Sequence, residues 1–298
     1  MKRNPLKKIL VPVDFSDSSL VALTQAVTFA KAYKASITLL YVHEAHDLAH
    51  TLKSLLFSKG SDKENRELVD ETVEEKFQEL ILKHQGDSTM EFDTMTTEGK
   101  IYQEITRIAE EGEFGLVIMG THGIKGIENF VVGSNTFRVV CSSPCPTLTV
   151  HSDTQKNEYK NIVLPLDLSP QTREKVDDAL NIAHHFNSTI HITAVTTLKD
   201  DEKEHFRLNK IMEQVEKYIN EEDVPTTTHF ETGDNITTMT LEYARKINAD
   251  LIVIMTEQEE HIAGFFLGPY AQQMINTSKI PIICIRPQVK DHDFVRPY

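Results

Sequence analysis

The chain has 298 residues, about twice a typical domain of roughly 150, so two folded domains are expected and a peptide or disulfide miniprotein is excluded. Hydrophobic residues at 40% and charged residues at 26% describe an ordinary folded protein, and the net charge of −14 opposes sequence-independent binding to nucleic acid. Cys141, Cys145 and Cys284 are too few for a disulfide framework and read as reduced thiols, Cys141 and Cys145 as packing residues, and no apolar stretch approaches the ~20 residues of a membrane span.

The basic start Met1 to Lys8 is followed by an apolar run that Pro12 cuts and Asp14 ends, too short for a signal peptide, so a cytoplasmic location is expected. In chain order, Ile9 to Val13 reads as a buried strand, and Ser16-Asp17-Ser18 supplies N-cap candidates for a helix to about Tyr33. Ser36 to Val42 is a second strand. A charged helix from about Lys63 to His84 leads to a strand near Phe92 to Thr96, a helix from about Ile101 to Glu111 and the strand Leu116 to Met119. A helix over 134–142 and a strand over 147–150 close the first unit. Strands near 161–166, 189–195, 226–231, 251–255 and 281–285 repeat the order. Short β-rich runs alternating with helical stretches signal an α/β class with parallel sheets covered on both faces.

The repetition is visible in the letters. KKILVPVDFS at 7–16 recurs as KNIVLPLDLS at 160–169, an offset of 153. Leu116-Val117-Ile118-Met119 matches Ile252-Val253-Ile254-Met255 at 136, and Cys145-Pro146-Thr147-Leu148 matches Ile280-Pro281-Ile282-Ile283 at 135. The falling offset gives the first half about 18 extra residues, which the segment Glu44 to Asn65 accommodates. The expected division is a domain over 1–150, a polar linker over 151–159, a domain over 160–287 and a tail over 288–298.

Chemistry concentrates in Gly120-Thr121-His122-Gly123, followed after nine residues by Gly133-Ser134. Glycines after an apolar strand permit close backbone approach, and amides at Ser134, Asn135 and Thr136 open a helix whose dipole favours an anion. Hydroxyls of Ser134 and Thr136 add further hydrogen-bonding capacity. Without other signals the same loop reads equally as a chain-reversing turn. It is neither a Walker A loop, since Gly99-Lys100 is followed by Ile101, nor the dinucleotide spacing, which Gly120, Gly123 and Gly126 miss. Asp14 reads either as a ligand contact or as a cap for the next helix.

The loop, Pro12-Val13-Asp14 and the Tyr41-Val42 strand end together resemble the universal stress protein family. Its G-x2-G-x9-G-(S/T) motif is met by Gly120, Gly123, Gly133 and Ser134, and the likeness spans roughly residues 5–150 and 158–287 as a tandem pair. The resemblance implies two tandem doubly wound domains, each an open five-stranded parallel sheet of order 3-2-1-4-5, with ligand at the switch point between strands one and four. It implies ATP or another adenine nucleotide, with Mg as an accompanying ion. Pro12, Val13, Asp14 and Val42 would surround adenine and ribose. Met119, Gly120, Gly123, Gly133, Ser134, Asn135 and Thr136 would complete the site around ribose and phosphates. Lys125 reads as a solvated lysine.

The second half keeps Pro165-Leu166-Asp167 and Val195 but reads Thr256 in place of Gly120, Gln258 or Glu259 in place of the second glycine, and Pro269 in place of Ser134. Proline offers no amide, and Glu257, Glu259 and Glu260 repel phosphate. A degenerate half is expected there, with a positively charged ligand as the alternative. His43, His46 and His50 with Glu44 and Asp47 suggest a metal only weakly, because residues 48–57 read better as an amphipathic helix beside the site.

No catalytic set is legible, which favours a stress-response regulatory or sensor protein. A slow ATPase or nucleotidyl-transfer enzyme, with Asp14 helping to hold Mg, and an interaction scaffold with a vestigial nucleotide site are the alternatives. The edge strands near Thr147 to Val150 and Pro281 to Ile285 are expected to pair within the chain as a pseudo-two-fold dimer, with homodimerisation as a further step.

Overall fold

The computed structural model describes residues 5–44, 62–85, 90–121, 132–256 and 267–287. In the first half, β1 (Lys8–Pro12), α1 (Asp17–Tyr33), β2 (Ser36–His43), α2 (Asp62–Gln85), β3 (Phe92–Glu98), α3 (Ile101–Glu111), β4 (Leu116–Gly120), α4 (Ser134–Ser142) and β5 (Thr147–Val150) follow in order. The second half contributes β6 (Asn161–Leu166), α5 (Val176–Phe186), β7 (Thr189–Thr196), α6 (Glu202–Asn220), β8 (Thr226–Thr232), α7 (Ile236–Lys246), β9 (Leu251–Met255), α8 (Pro269–Thr277) and β10 (Ile282–Ile285).

The strands form one ten-stranded sheet of order β3-β2-β1-β4-β5-β10-β9-β6-β7-β8. Within each half the pairs are parallel, so each half has the expected 3-2-1-4-5 order. The central strands are continuous apolar runs because both faces are covered: Ile9 and Val11 pack toward one layer of helices, while Leu10 and Val117 face the other.

The seam between the halves is the antiparallel pair β5–β10. Leu148 faces Ile283, Thr149 faces Ile282 and Thr147 faces Cys284. At the repeat offset of 135, Leu148 and Ile283 are the same position and the flanking pairs are reciprocal, so a pseudo-two-fold axis passes through them. Each edge strand thereby satisfies the other's backbone.

Hydrogen bonds fix the repeat register and correct the alignment of β4 with β9. Thr121 N–H donates to Val150 O at 2.9 Å, Thr256 N–H donates to Ile285 O at 2.9 Å, and Gly133 and Gly268 N–H return to Thr121 O and Thr256 O. Thr256 therefore matches Thr121, and Met255, not Thr256, stands in place of Gly120. The apolar runs LVIM and IVIM are alike enough to slide by one residue; the ladder is not.

The extra length of the first half falls where expected, since residues 44–61 connect β2 to α2 while residues 197–201 suffice between β7 and α6. The expected helix over 48–57, with His46 and His50, lies outside the described residues, as does the 288–298 tail.

The polar stretch 151–159 hides an anchor. Tyr159 is 1% exposed and donates its hydroxyl to Gln25 Oε1 at 2.5 Å, while Gln25 Nε2 donates to Lys156 O at 3.0 Å and Asn157 Oδ1 at 2.9 Å. Phe29 and Phe186 pack on the Tyr159 ring at 4.8 and 5.1 Å, joining α1 to α5. Cys141, Cys145 and Cys284 are buried and form no disulfide, in keeping with the packing role expected of Cys141 and Cys145.

Candidate functional site

The C-terminal ends of β1 and β4 part at the switch point, where the flanking helices leave a crevice in any doubly wound sheet. Pro12 ends β1, and Val13 is buried with its N–H donating to Leu40 O at 2.8 Å. This bond holds the turn against β2, whose end carries half-buried Val42.

Asp14 follows in an Asx-type turn. Its Oδ1 accepts from Ser16 N–H at 3.1 Å and from Ser16 Oγ at 2.5 Å. Ser16 in turn caps α1, its Oγ accepting from Ser19 N–H at 3.4 Å. The capping reading of this stretch is thus fulfilled by Ser16, and Asp14 orders the turn that presents it.

Between them Phe15 adopts φ +61°, the left-handed region that non-glycine residues avoid. Its ring stacks on Tyr41 at 5.7 Å, approaches Phe77 of α2 at 5.7 Å and lies under Lys76 Nζ at 4.8 Å. The aromatic contacts offset the backbone strain and fix the turn. His43, at the end of β2, pairs with Asp70 of α2 at 2.8 Å. Among the described residues no group of three His, Cys, Asp or Glu side chains could hold a metal ion.

On the β4 side Met119 is buried and Gly120 touches α1 closely. A Cβ on Gly120 would lie 2.4 Å from Ser18 Oγ and 2.7 Å from the Ser18 carbonyl carbon, so only glycine allows α1 to begin against the strand. Gly123 and Lys125 lie outside the described residues. Gly133 is the N-cap of α4, and its N–H donates to Thr121 O at 2.8 Å.

The first turn of α4 holds no side-chain cap and no acidic residue. The amides of Ser134, Asn135 and Thr136 therefore lie at the positive end of the helix dipole without a capping side chain. Ser134 is exposed and Asn135 half-buried. Thr136 behaves differently from the sequence expectation for its hydroxyl. It is buried and donates to Gly120 O at 2.9 Å, stapling α4 to the end of β4, so its backbone amide is what it offers a ligand.

The second half lacks this construction. Met255, 2% exposed, occupies the position of Gly120, and the helix after β6 starts later than its counterpart after β1. Where α1 starts at Asp17, the matching stretch is a 3-10 turn over Pro170–Arg173, and α5 starts only at Val176. Pro269 at the head of α8 removes an amide donor. Glu257, Gln258, Glu259 and Glu260 lie outside the described residues.

The comparisons with known proteins agree with this duplicated architecture. The sequence profile of the universal stress protein family matches residues 5–151 and again 158–286. Universal stress protein MJ0531 of Methanocaldococcus jannaschii is 33% identical over 150 residues, covering 49% of this chain and 83% of its own. MJ0577 of the same organism is 29% identical over 152 residues, covering 48% and 94%. In three dimensions the chain is similar to a universal stress protein from Archaeoglobus fulgidus, with a TM-score of 0.73 over 94% of this chain and 96% of that one at 18% identity. The chain belongs to the universal stress protein family, as a tandem pair of its domains.

Proposed function

We propose that the first domain binds ATP or a related adenine nucleotide in the crevice between β1 and β4, and that the protein acts as a stress-response regulator or sensor. The observation that carries this reading is the open head of α4. Three successive amides without a side-chain cap, at a glycine-bounded strand end, fit an anion of phosphate size. Asp14 and Val13 on the β1 turn, with Val42 at the end of β2, supply the polar and apolar contacts that a ribose and base require. Gly123 would complete the cradle. Mg would be held by the phosphates and, at most, one carboxylate.

The described residues of the crevice hold no base positioned to activate a water, which supports binding over turnover. The two domains would act as an intrachain pseudo-dimer with unequal halves, in a cytoplasmic setting.

Gly133→Asp tests the site by separating stability from binding. Its N-cap backbone is compatible with aspartate, since an added Cβ meets nothing closer than Thr121 O at 3.4 Å. A carboxylate there supplies the missing cap, so α4 should gain about 0.3–1 kcal/mol while phosphate is repelled. Calorimetric titration with ATP should show micromolar binding to the wild type and at least a tenfold loss in the variant, roughly 1.4 kcal/mol. Wild-type protein that takes up no adenine nucleotide would overturn the reading.

A further inference from the structure

The second crevice carries a buried lysine where the first half has Ala22. Lys175 stands directly before α5 and is 2% exposed, so its ammonium is enclosed by protein. Nζ donates to Thr172 Oγ1 at 3.2 Å, and the Asp167 carboxylate lies within electrostatic reach. Thr172 Oγ1 also accepts from Asp167 N–H at 3.1 Å, tying the lysine to the turn that follows β6. Asp167 is the counterpart of Asp14 in the repeat, whereas Ala22 is the counterpart of Lys175, so the first half has a carboxylate here and no cation.

Ser169 Oγ, Gln171 Oε1 and Thr256 Oγ1 are buried without a hydrogen-bond partner, and Thr256 is 0% exposed. Ser169 and Gln171 belong to the same β6–α5 connection as Lys175, and Thr256 directly follows β9, the neighbour of β6 across the switch point. In the first half Ser16 Oγ is instead committed to Asp14 Oδ1 at 2.5 Å and lies 3.2 Å from Ser18 Oγ. Buried polar atoms left without partners mark this region as unlike the fully bonded turn of the first half. An ammonium supplies three N–H donors and a positive charge beside the Asp167 carboxylate, which would repel a phosphate.

We propose that the switch-point crevice of the second domain is a primary-ammonium site, occupied in cis by Lys175 and thereby closed to anionic ligands. The inference is independent of nucleotide binding in the first domain. Asp167 then serves twice, accepting from Ser169 N–H at 2.7 Å in the turn and acting as the counter-ion of Lys175.

Lys175→Ala with chemical rescue provides the test. The variant removes three methylenes and the ammonium beside Thr172 and Asp167, the atoms of n-propylammonium. Its melting temperature should fall by roughly 10 °C, as for a broken buried ion pair in a chain of this size. Added n-propylammonium chloride should restore most of that loss in a saturable manner, while equal concentrations of n-propanol, sodium chloride and tetramethylammonium chloride should not. The double variant Asp167→Asn/Lys175→Ala should show no ammonium-specific gain. If Lys175→Ala does not fold alone, the same reagents are scored by the yield of soluble protein on refolding. An unchanged melting temperature in Lys175→Ala, absence of rescue, equal rescue by propanol, or equal rescue of the double variant would each overturn the proposal. No nucleotide enters the experiment, so its outcome and that of the ATP titration are separable.

Discussion

At the scale of single residues, the two halves differ where Gly120 of the first corresponds to Met255 of the second. A Cβ on Gly120 meets not only the flexible Ser18 hydroxyl but the Ser18 backbone, so Gly120→Ala should cost about 1–3 kcal/mol through displacement of the first turn of α1. A denaturant melt checks the loss, and helix content measured by circular dichroism should fall slightly with it. Lys175 gives the second half a distinct pH signature. Burial lowers its ammonium from an ordinary 10.5 to about 8, against the opposing charge of Asp167, which itself lies within reach of the Tyr270 phenol. Between about 8 and 10.5 the unfolded chain binds the proton and the folded chain has released it, so this residue makes stability rise with pH in that window. The slope approaches about 1.4 kcal/mol per pH unit at most. Buried Cys145, raised to about 11, and the raised phenols of Tyr33, Tyr159 and Tyr270 act in the opposite sense at higher pH. The difference between wild type and Lys175→Met isolates the contribution, and urea melts at pH 7.5 and 9 that run parallel in the two proteins would refute it.

At the scale of elements, the repeat is also written in backbone conformation. Lys34 and Asn187 occupy the same position after α1 and α5, both in the left-handed region at φ 53° and 50°, with N–H groups returning to Ala30 O and Ala183 O. Glu113 and Asn248 match in the same way at φ 53° and 52°. Asparagine tolerates this conformation and lysine pays for it, so Lys34→Gly should stabilise the first domain by about 0.5–1 kcal/mol in a denaturant melt. Most of this fold was legible in the letters, because buried parallel strands are apolar on both faces and the duplicated turns are punctuated by Pro-x-Asp. Helix α1 was legible at its start, where Ser16 is the only residue that caps it. The one-residue register of β9 was not, since a run of interchangeable apolar residues carries no mark of its hydrogen-bond ladder. Lys175 was equally hidden: in the polar string TREKVDD nothing distinguishes a lysine that goes inside from those that stay in water. The glycines and Asp14 of the first crevice could be named from sequence, but not the role of Thr136, whose bond to Gly120 O spans two elements.

At the scale of the whole molecule, attachments of several kinds join the halves. The β5–β10 ladder continues the sheet, the Phe29–Tyr159–Phe186 cluster joins α1 to α5, and Arg286 of the second half donates to Ser143 O of the first at 3.2 Å. Tyr159→Phe should cost about 1–3 kcal/mol, because Gln25 is 0% exposed and its Oε1 would be left without the phenolic donor. The loss should appear as one cooperative transition shifted downward; two separated transitions would mean that the halves melt independently. The reciprocal pairing about Leu148 and Ile283 has a consequence for how such a protein can change. In an assembly of two identical chains every substitution is imposed on both sides of the axis, and a residue that suits one crevice must suit the other. Covalent fusion removes that constraint while leaving the seam intact. One crevice could acquire Met255 and Lys175 while its twin kept Gly120, giving a single chain two unlike crevices on one continuous sheet.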